Sequence, residues 1–219
     1  MKIVILAGGM GTRLGAAAEG LPKSMVPIGD RPFLELVIES FTARGFRDFV
    51  LLTGYRGEVI SQHFGDGRRY KARIAYRREP KPLGTGGAIR DAVHLLGDRF
   101  LVTYGDVLRR FDYDRFVRAH EEPCLAVYER LTAGNTEVEG GRVVRFDKRA
   151  PELPYIDAGF CVMDASALHF LPQDGACSFE EIVFPALARD RRLVSEIVDH
   201  NFYEIGTPEE LEKTRRALA

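Results

Sequence analysis

The stretch "VILAGGMGTRL", residues 4–14, most restricts the possible folds, because an apolar run ends there in a glycine-rich loop. Residues 4–7 have the composition of a buried strand bounded by turn residues. The glycines after this strand permit positive φ and let a bulky group approach the backbone closely. Backbone amides in such a loop attract anions, and Arg13 adds a planar fork of donors suited to phosphate. The stretch therefore predicts a phosphate-binding loop directly after the first strand.

Strand and helix patterns alternate through the first two thirds of the chain. They predict strands at 2–7, 48–53, 73–77, 99–104 and 124–129, and helices near 32–44, 57–64, 86–96 and 112–120. This alternation predicts an α/β fold of Rossmann-like type, with a mixed, mainly parallel sheet and helices on both faces. Short strands replace the pattern after about residue 130. A capping box starting at Thr207, with Pro208 as the first helical residue, then predicts a closing helix.

Composition excludes several classes of protein. The 219 residues carry a net charge of −1, which gives no sign of nucleic-acid binding, and no apolar run approaches the roughly 20 residues of a membrane span. The basic stretch 68–78 alternates as a half-buried strand does, which favours a solvated face over a nucleic-acid stripe. Because the sequence begins in a strand-like stretch, we expect no secretory leader, and its three scattered cysteines suit free thiols in a reducing cytoplasm. The histidines lack metal-ligand spacing.

Two common phosphate-binding motifs fail on specific residues. The dinucleotide fingerprint needs glycine or alanine where the chain has Leu14, and no acidic residue ends the second strand at "LLTGY". The P-loop needs lysine and serine or threonine where Leu21 and Pro22 stand. A dinucleotide-dependent oxidoreductase is therefore disfavoured.

The glycine loop and the segment after it resemble the signature of the sugar-1-phosphate nucleotidyltransferases, also called nucleotide-sugar pyrophosphorylases. The matching segments are "GGMGTRL" at 8–14, "PKSMVPI" at 22–28 and "PFLE" at 32–35. The resemblance continues in "EPKPLGTGGAIRDA" at 79–92, "VTYGDVL" at 102–108, "YIDAGFCVMD" at 155–164 and "NFYEIGTPEEL" at 201–211. It covers essentially the whole chain. Three positions depart from the family pattern: the Asp147-Lys148-Arg149 segment in place of E-K-P, Asp157 in place of asparagine or threonine, and Glu204 in place of aspartate.

This resemblance implies a GT-A-like fold and transfer of a nucleotidyl group from a nucleoside triphosphate to a sugar 1-phosphate. We expect one domain over 1–219, with a nucleotide-binding part at about 1–130, a sugar-phosphate part at about 131–206 and the closing helix at 207–219. The resemblance assigns catalysis to Arg13 and Lys23, and Mg²⁺ binding to Asp106 and Glu204. It assigns nucleotide binding to Leu6, Ala7, Gly8, Gly9, Gly11, Thr12, Arg13, Glu79, Gly84, Thr85 and Gly86, and sugar-phosphate binding to Gly134, Lys148, Asp157 and Gly159.

Each charged assignment has a structural alternative. Asp106 follows Gly105 and could form a turn, Lys23 could be a solvated loop lysine, and Glu204 could cap the closing helix. Lys148 lies in a weakened motif. Asp157 could form a turn, and an ionised aspartate cannot donate to a sugar hydroxyl as asparagine can.

The resemblance is greatest to the short D-glycero-α-D-manno-heptose-1-phosphate guanylyltransferases, because "PLGTGGAI" is similar to their loop and to that of mannose-1-phosphate guanylyltransferases. GTP and a heptose or mannose-like 1-phosphate are thus the expected substrates. Since "TYGD" is similar to cytidylyltransferases, transfer from UTP, CTP or dTTP, or to another small phosphate acceptor, stays open. So does a nucleotide-sugar sensor without turnover. We expect a cytoplasmic location and no nucleic-acid or membrane partner, and a homo-oligomer stays open.

Overall fold

The computed structural model describes residues 1–18, 20–150, 152–199 and 201–218. Its strands are β1 Lys2–Ala7, β2 Pro27–Ile28, β3 Arg31–Pro32, β4 Asp48–Thr53, β5 Arg73–Arg78, β6 Arg99–Tyr104, β7 Val107–Arg109, β8 Cys124–Gly134, β9 Thr136–Glu139, β10 Arg142–Phe146, β11 Leu153–Asp164, β12 Val194–Ile197 and β13 Phe202–Glu204. Its α-helices are α1 Phe33–Thr42, α2 Gly57–Phe64, α3 Gly84–Asp91, α4 Val93–Leu96, α5 Tyr113–Ala119, α6 Phe179–Arg189 and α7 Pro208–Leu218. Short 3-10 helices lie at Thr12–Ala18, Lys23–Met25, Arg68–Tyr70 and Ala165–Phe170.

The chain divides into two compact units, which we name the loop unit and the strand unit. The loop unit comprises Lys2–Pro82, Thr103–Asp114 and Asn201–Ala219. The strand unit comprises Met1, Leu83–Val102 and Arg115–His200. The single domain expected from the sequence stays a prediction.

Parallel strands form the centre of the loop unit. Here β1 pairs with β4 and β4 pairs with β5, with Lys2 opposite Asp48 and Ala7 opposite Thr53. Ile3, Val4 and Ile5 are fully buried, as expected for a parallel strand covered on both faces. Because parallel strands end at one edge, the loops after β1 and β4 lie side by side, and the N–H of Tyr55 reaches the carbonyl of Gly8 at 3.4 Å.

The strand unit is mainly antiparallel. Strand β11 pairs with β8 in antiparallel register, from Leu153 opposite Gly134 to Val162 opposite Cys124. The order of strands in this unit is β6-β11-β8-β12-β10-β9. The predicted mixed α/β fold is confirmed. The predicted strands all form, although β8 extends to Gly134 instead of ending at 129.

Two helical regions differ from the sequence prediction. The helix predicted at 86–96 is two helices, α3 and α4, separated at Ala92. Helix α6 was not predicted, because Pro185 in its interior argues against a helix. Its start carried a usable signal: Ser178 precedes the helix and its hydroxyl accepts the N–H of Glu181 at 3.2 Å, the first half of a capping box.

The closing helix α7 begins as predicted at Pro208. The Thr207 hydroxyl accepts the N–H of Glu210 at 3.3 Å, and the Thr214 hydroxyl donates to the backbone carbonyl of Glu204 at 2.8 Å. The helix is thereby tied to the end of β13. The three cysteines are free thiols, with Cys124 and Cys161 buried. Across the described residues, none of the helices combines the length and apolarity needed to cross a bilayer.

Candidate active site

The glycine loop leaves β1 and turns back on itself within the loop unit. Gly11 has φ +68°, a value that favours glycine, and the backbone then enters the 3-10 helix Thr12–Ala18. The N–H of Lys23 donates to the carbonyl of Gly9 at 3.3 Å, which closes the loop. Lys23 therefore lies beside the glycines that precede it by twelve to fifteen positions.

Lys23 forms an ion pair with Asp106. Its ammonium contacts the Asp106 carboxylate, and the two side chains are 14% and 29% exposed. Asp106 follows β6, in the turn before β7, and its backbone carbonyl accepts the N–H of Ile205 at 3.2 Å. The fold thus joins two predicted site residues 83 positions apart. The pair neutralises both charges in a half-buried place, which an entering phosphate or cation would disturb.

Glu204 lies next to this pair on β13, opposite Val107 of β7. Burial raises the pKa of Glu204, and the nearby carboxylates of Glu210 and Asp106 raise it further, while Lys23 lowers it. Several carboxylates therefore share a small volume with one ammonium group. The carboxylate of Glu204 does not provide the cap of α7, since Thr207 does.

Glu210 also lies at this site, although the sequence placed it only in the capping box of the closing helix. A Cβ built on Gly206 would lie 2.5 Å from Oε2 of Glu210 and 3.8 Å from Nζ of Lys23, so the Glu210 carboxylate covers Gly206 close to the lysine. The sequence signal was present, because Glu210 occupies the third helical position after the cap Thr207. A carboxylate at this position is expected to accept the backbone N–H of the cap residue. Only the structure shows that it also lies close to the ammonium of Lys23.

The carboxylates of Asp106 and Glu204 are chemically suited to Mg²⁺, which prefers oxygen ligands and is bound by one or two carboxylates plus phosphate oxygens. Burial is the main cause of the raised pKa of Glu204, and a cation would relieve the smaller part that comes from repulsion by the Glu210 and Asp106 carboxylates. No cluster of three or more His, Cys, Asp or Glu side chains suited to a metal occurs in the described part of the chain.

Arg13 and Thr12 lie on the 3-10 helix after the loop, where Arg13 is exposed. With the residues that the structure describes, Arg13 makes no hydrogen bond or ion pair, and nothing brings it to Lys23. An exposed guanidinium at the mouth of an amide-rich loop can bind phosphate through its planar fork of donors.

Glu79 covers the start of the glycine loop. A Cβ on Gly8 would lie 3.1 Å from its Oε1, and a Cβ on Gly54 would lie 2.7 Å from the same atom. Glu79 is held there because its N–H donates to the carbonyl of Thr53 at 2.9 Å. Leu6 and Ala7 end the adjacent strand β1. The two glycines therefore make room for one carboxylate beside the predicted nucleotide loop.

The other predicted nucleotide residues, Gly84, Thr85 and Gly86, start α3 and belong to the strand unit. The Thr85 hydroxyl donates to Oε2 of Glu180 at 2.7 Å and accepts the N–H of Phe179 at 2.9 Å. The N–H of Gly86 donates to the carbonyl of Cys177 at 2.9 Å. These contacts join the start of α3 to the start of α6.

Lys148 pairs with Glu180 at 3.2 Å. Glu180 is 2% exposed, and the same Oε2 atom also accepts from the hydroxyls of Thr85 and Ser178, each at 2.7 Å. A buried carboxylate with three donors of this kind is held firmly in one orientation. Sequence reasoning missed Glu180, because its helix was not predicted, although "SFEE" is a capping signal.

Asp157 lies on β11 within reach of this group. Burial raises the pKa of Asp157, while hydrogen bonds from the Asn135 amide and the Gly159 N–H lower it, and both Glu180 and Lys148 act on it electrostatically. Asn135 Nδ2 donates at 3.1 Å and Gly159 N at 2.9 Å. Gly134 precedes Asn135 at the end of β8, opposite Leu153. All four predicted sugar-phosphate residues therefore lie in the strand unit, and Asn135 is a further polar residue that the motif comparison missed.

The fold and the ion pair of the loop unit define a class of protein: an α/β protein with a glycine-rich loop and a lysine–aspartate pair beside it. The family described as "Nucleotidyl transferase" matches residues 2–218. A D-glycero-α-D-manno-heptose 1-phosphate guanylyltransferase of Campylobacter jejuni is 30% identical over 216 residues, covering 96% of each chain. A mannose-1-phosphate guanylyltransferase of Mycobacterium tuberculosis is 34% identical, covering 94% of this chain and 61% of that one.

A solved structure has the same fold over the whole chain. The crystal structure of HddC from Yersinia pseudotuberculosis complexed with GMP-PN superposes with a TM-score of 0.84 at 26% identity, covering 100% of this chain and 99% of that one. The chain belongs to the nucleotidyl transferase family. The resemblance inferred from the loop and lysine motifs is thereby confirmed, and the protein is a nucleotidyltransferase enzyme.

Proposed function

We propose that the protein transfers a guanylyl group from GTP to D-glycero-α-D-manno-heptose 1-phosphate, releasing pyrophosphate. The observation that carries the reaction is the contact between Lys23 and Asp106 at the closed end of the glycine loop. The choice of substrates is supported by full-length similarity to a heptose-1-phosphate guanylyltransferase, since each chain is covered to 96%. It is also supported by the placement of Glu79.

The chemistry requires positioning and charge neutralisation more than proton transfer. An oxygen of the sugar phosphate attacks the α-phosphorus, the bond from that phosphorus to the bridging oxygen breaks, and the electron pair leaves with pyrophosphate. The second pKa of a phosphate monoester is about 6, so the attacking oxygen is already largely ionised at neutral pH. No general base is required, and the task of the site is to position the phosphates and neutralise their charge.

In this proposal the amides of Gly8, Gly9 and Gly11, together with Arg13, hold the β- and γ-phosphates. Lys23 holds the α-phosphate and stabilises the charge that develops there. Its partner Asp106 keeps the ammonium oriented before substrate enters, which lowers the reorganisation needed for reaction. Asp106 and Glu204 would hold Mg²⁺, which supplies positive charge to the phosphate oxygens when it is bound.

The strand unit holds the sugar phosphate in this proposal. Lys148 would bind its phosphate, and Glu180 keeps the ammonium in place through the 3.2 Å ion pair. Asp157 and Asn135 present a carboxylate and an amide that can bond sugar hydroxyls. Because Asn135 Nδ2 already donates to Asp157, the pair presents more acceptors than donors, and we expect it to select hydroxyl-rich sugars.

Glu79 supports guanine as the base. Guanine presents two adjacent donors, a ring N–H and an exocyclic amino group, and a carboxylate can accept from both. We expect Glu79→Gln to reduce the preference for GTP over ITP, which lacks the amino group. One hydrogen bond to a charged group corresponds to roughly a tenfold to hundredfold preference, and most of it should disappear in the variant. Steady-state kcat/KM for the two nucleotides measures it, with Glu39→Gln on α1 as the control.

Pyrophosphate release with Mg²⁺ tests the function directly. GTP, CTP, UTP, dTTP and ATP are each combined with a panel of hexose and heptose 1-phosphates. We expect GTP with the heptose phosphate to exceed every other pair in kcat/KM. A different leading pair would replace the proposed substrates and keep the enzyme class. Nucleotide binding without any turnover would instead favour a nucleotide-sugar sensor. Cytoplasmic location and self-association stay predictions.

A further inference from the structure

Arg56 has a strained backbone beside the glycine loop. It has φ 48° and ψ 37°, the left-handed region, at the position directly before α2. A residue with a Cβ is disfavoured there, and such strain concentrates at functional sites. In the parts of the chain that the structure describes, Lys71 and Arg191 are the other non-glycine residues with positive φ.

The side chain of Arg56 reaches the far end of the glycine loop. A Cβ built on Gly20 would lie 3.1 Å from Nη1 of Arg56, so the guanidinium covers this glycine. Gly20 precedes Lys23 by three positions, and we call residues 20–23 the Gly20 segment. The guanidinium therefore lies close to Gly20, on the side where a side chain at this position would stand.

Arg56 is held loosely by its neighbour on α2. Its Nε lies 3.9 Å from Oε1 of Glu58, the outer limit of an ion pair, whereas Arg78 approaches the other oxygen of Glu58 at 2.8 Å. Glu58 is therefore paired more closely with Arg78 than with Arg56. The turn at 54–57 also borders Gly8, because Gly54 and Tyr55 lie against it.

We propose that Arg56 is a positioning residue for the reaction: its guanidinium holds the Gly20 segment of the phosphate loop closed over a bound triphosphate. This inference rests on the proposed function, since the loop must bind a nucleoside triphosphate. The strained backbone is retained because it aims the side chain across Gly20. A residue at position 56 that relaxes the backbone should therefore stabilise the protein and weaken triphosphate binding.

Two substitutions separate the backbone from the guanidinium. Arg56→Gly removes both the strain and the side chain, and we expect a higher Tm with a KM for GTP raised about tenfold. Arg56→Ala keeps the strain, and we expect the same rise in KM without the gain in Tm. Binding of GMP, which lacks the β- and γ-phosphates, should change less than about twofold in both variants. Lys71→Gly is the matched control, with a gain in Tm and an unchanged KM.

Tm by calorimetry, KM by pyrophosphate release and nucleotide binding by titration calorimetry measure these effects. An Arg56→Gly variant with wild-type KM for GTP would overturn the inference while leaving the proposed function intact. Equal weakening of GTP and GMP would also overturn it, because the loop would then not be acting on the phosphates. A wild-type protein that binds no nucleoside triphosphate would contradict the proposed function and this inference together.

Discussion

Replacing Lys23 with methionine is expected to lower kcat about 10²- to 10³-fold, the usual effect of removing one preorganised group that stabilises transition-state charge. Methionine keeps most of the length of the side chain and removes the ammonium. Because Lys23 is proposed to act at the α-phosphate as charge develops, KM for the nucleotide should change much less than kcat. Single-turnover measurement of pyrophosphate release separates this step from product release.

The fold should survive the Lys23→Met substitution. Asp106 loses its partner but is 29% exposed, so water can solvate the carboxylate. Lys213→Ala, an exposed lysine on α7, is the control for general loss of positive charge and should leave kcat unchanged. A Lys23→Met variant with wild-type kcat would exclude the catalytic role, and a lowered Tm beside it would favour a purely structural ion pair.

The second large effect is expected from Asp106→Asn. This variant should lose at least about 10²-fold in kcat, and the Mg²⁺ concentration giving half-maximal rate should rise, because a neutral amide binds a hard divalent cation more weakly than a carboxylate does. Titration of the rate with MgCl₂ measures both quantities. Asp112→Asn is the matched control, since Asp112 lies in the same unit and its carboxylate pairs with Arg44 at 3.7 Å.

The double variant provides an internal check. Lys23 and Asp106 touch, so their effects should not add, and the combined loss in kcat should be smaller than the product of the two single losses. Simple additivity would mean that the two residues act independently and that the contact has no catalytic meaning. An Asp106→Asn enzyme with an unchanged Mg²⁺ dependence would remove Asp106 from the set of metal ligands.

Much of the fold was predictable from local patterns. The parallel core strands β1 and β4 are apolar along most of their length, and Thr207 with Pro208 defines the start of α7. Helix α6 was not predicted. Pro185 in its interior disfavours a helix locally, and packing in the strand unit outweighs this cost. The separation of α3 from α4 at Ala92 was also missed, because the ends of a helix are difficult to place from a local sequence pattern.

For the site, the sequence by itself determined the residue types and their order: a strand, a glycine loop, Arg13, Lys23, and later two carboxylates. These features depend on local chemistry, because glycine spacing and basic residues can be recognised without knowing distant contacts. Only the tertiary structure decided which of them meet. In the structure Lys23 pairs with Asp106, and Glu79 lies against Gly8. Glu180 pairs with Lys148, and Asn135 bonds Asp157. Such contacts depend on strand order and register, which local sequence does not determine.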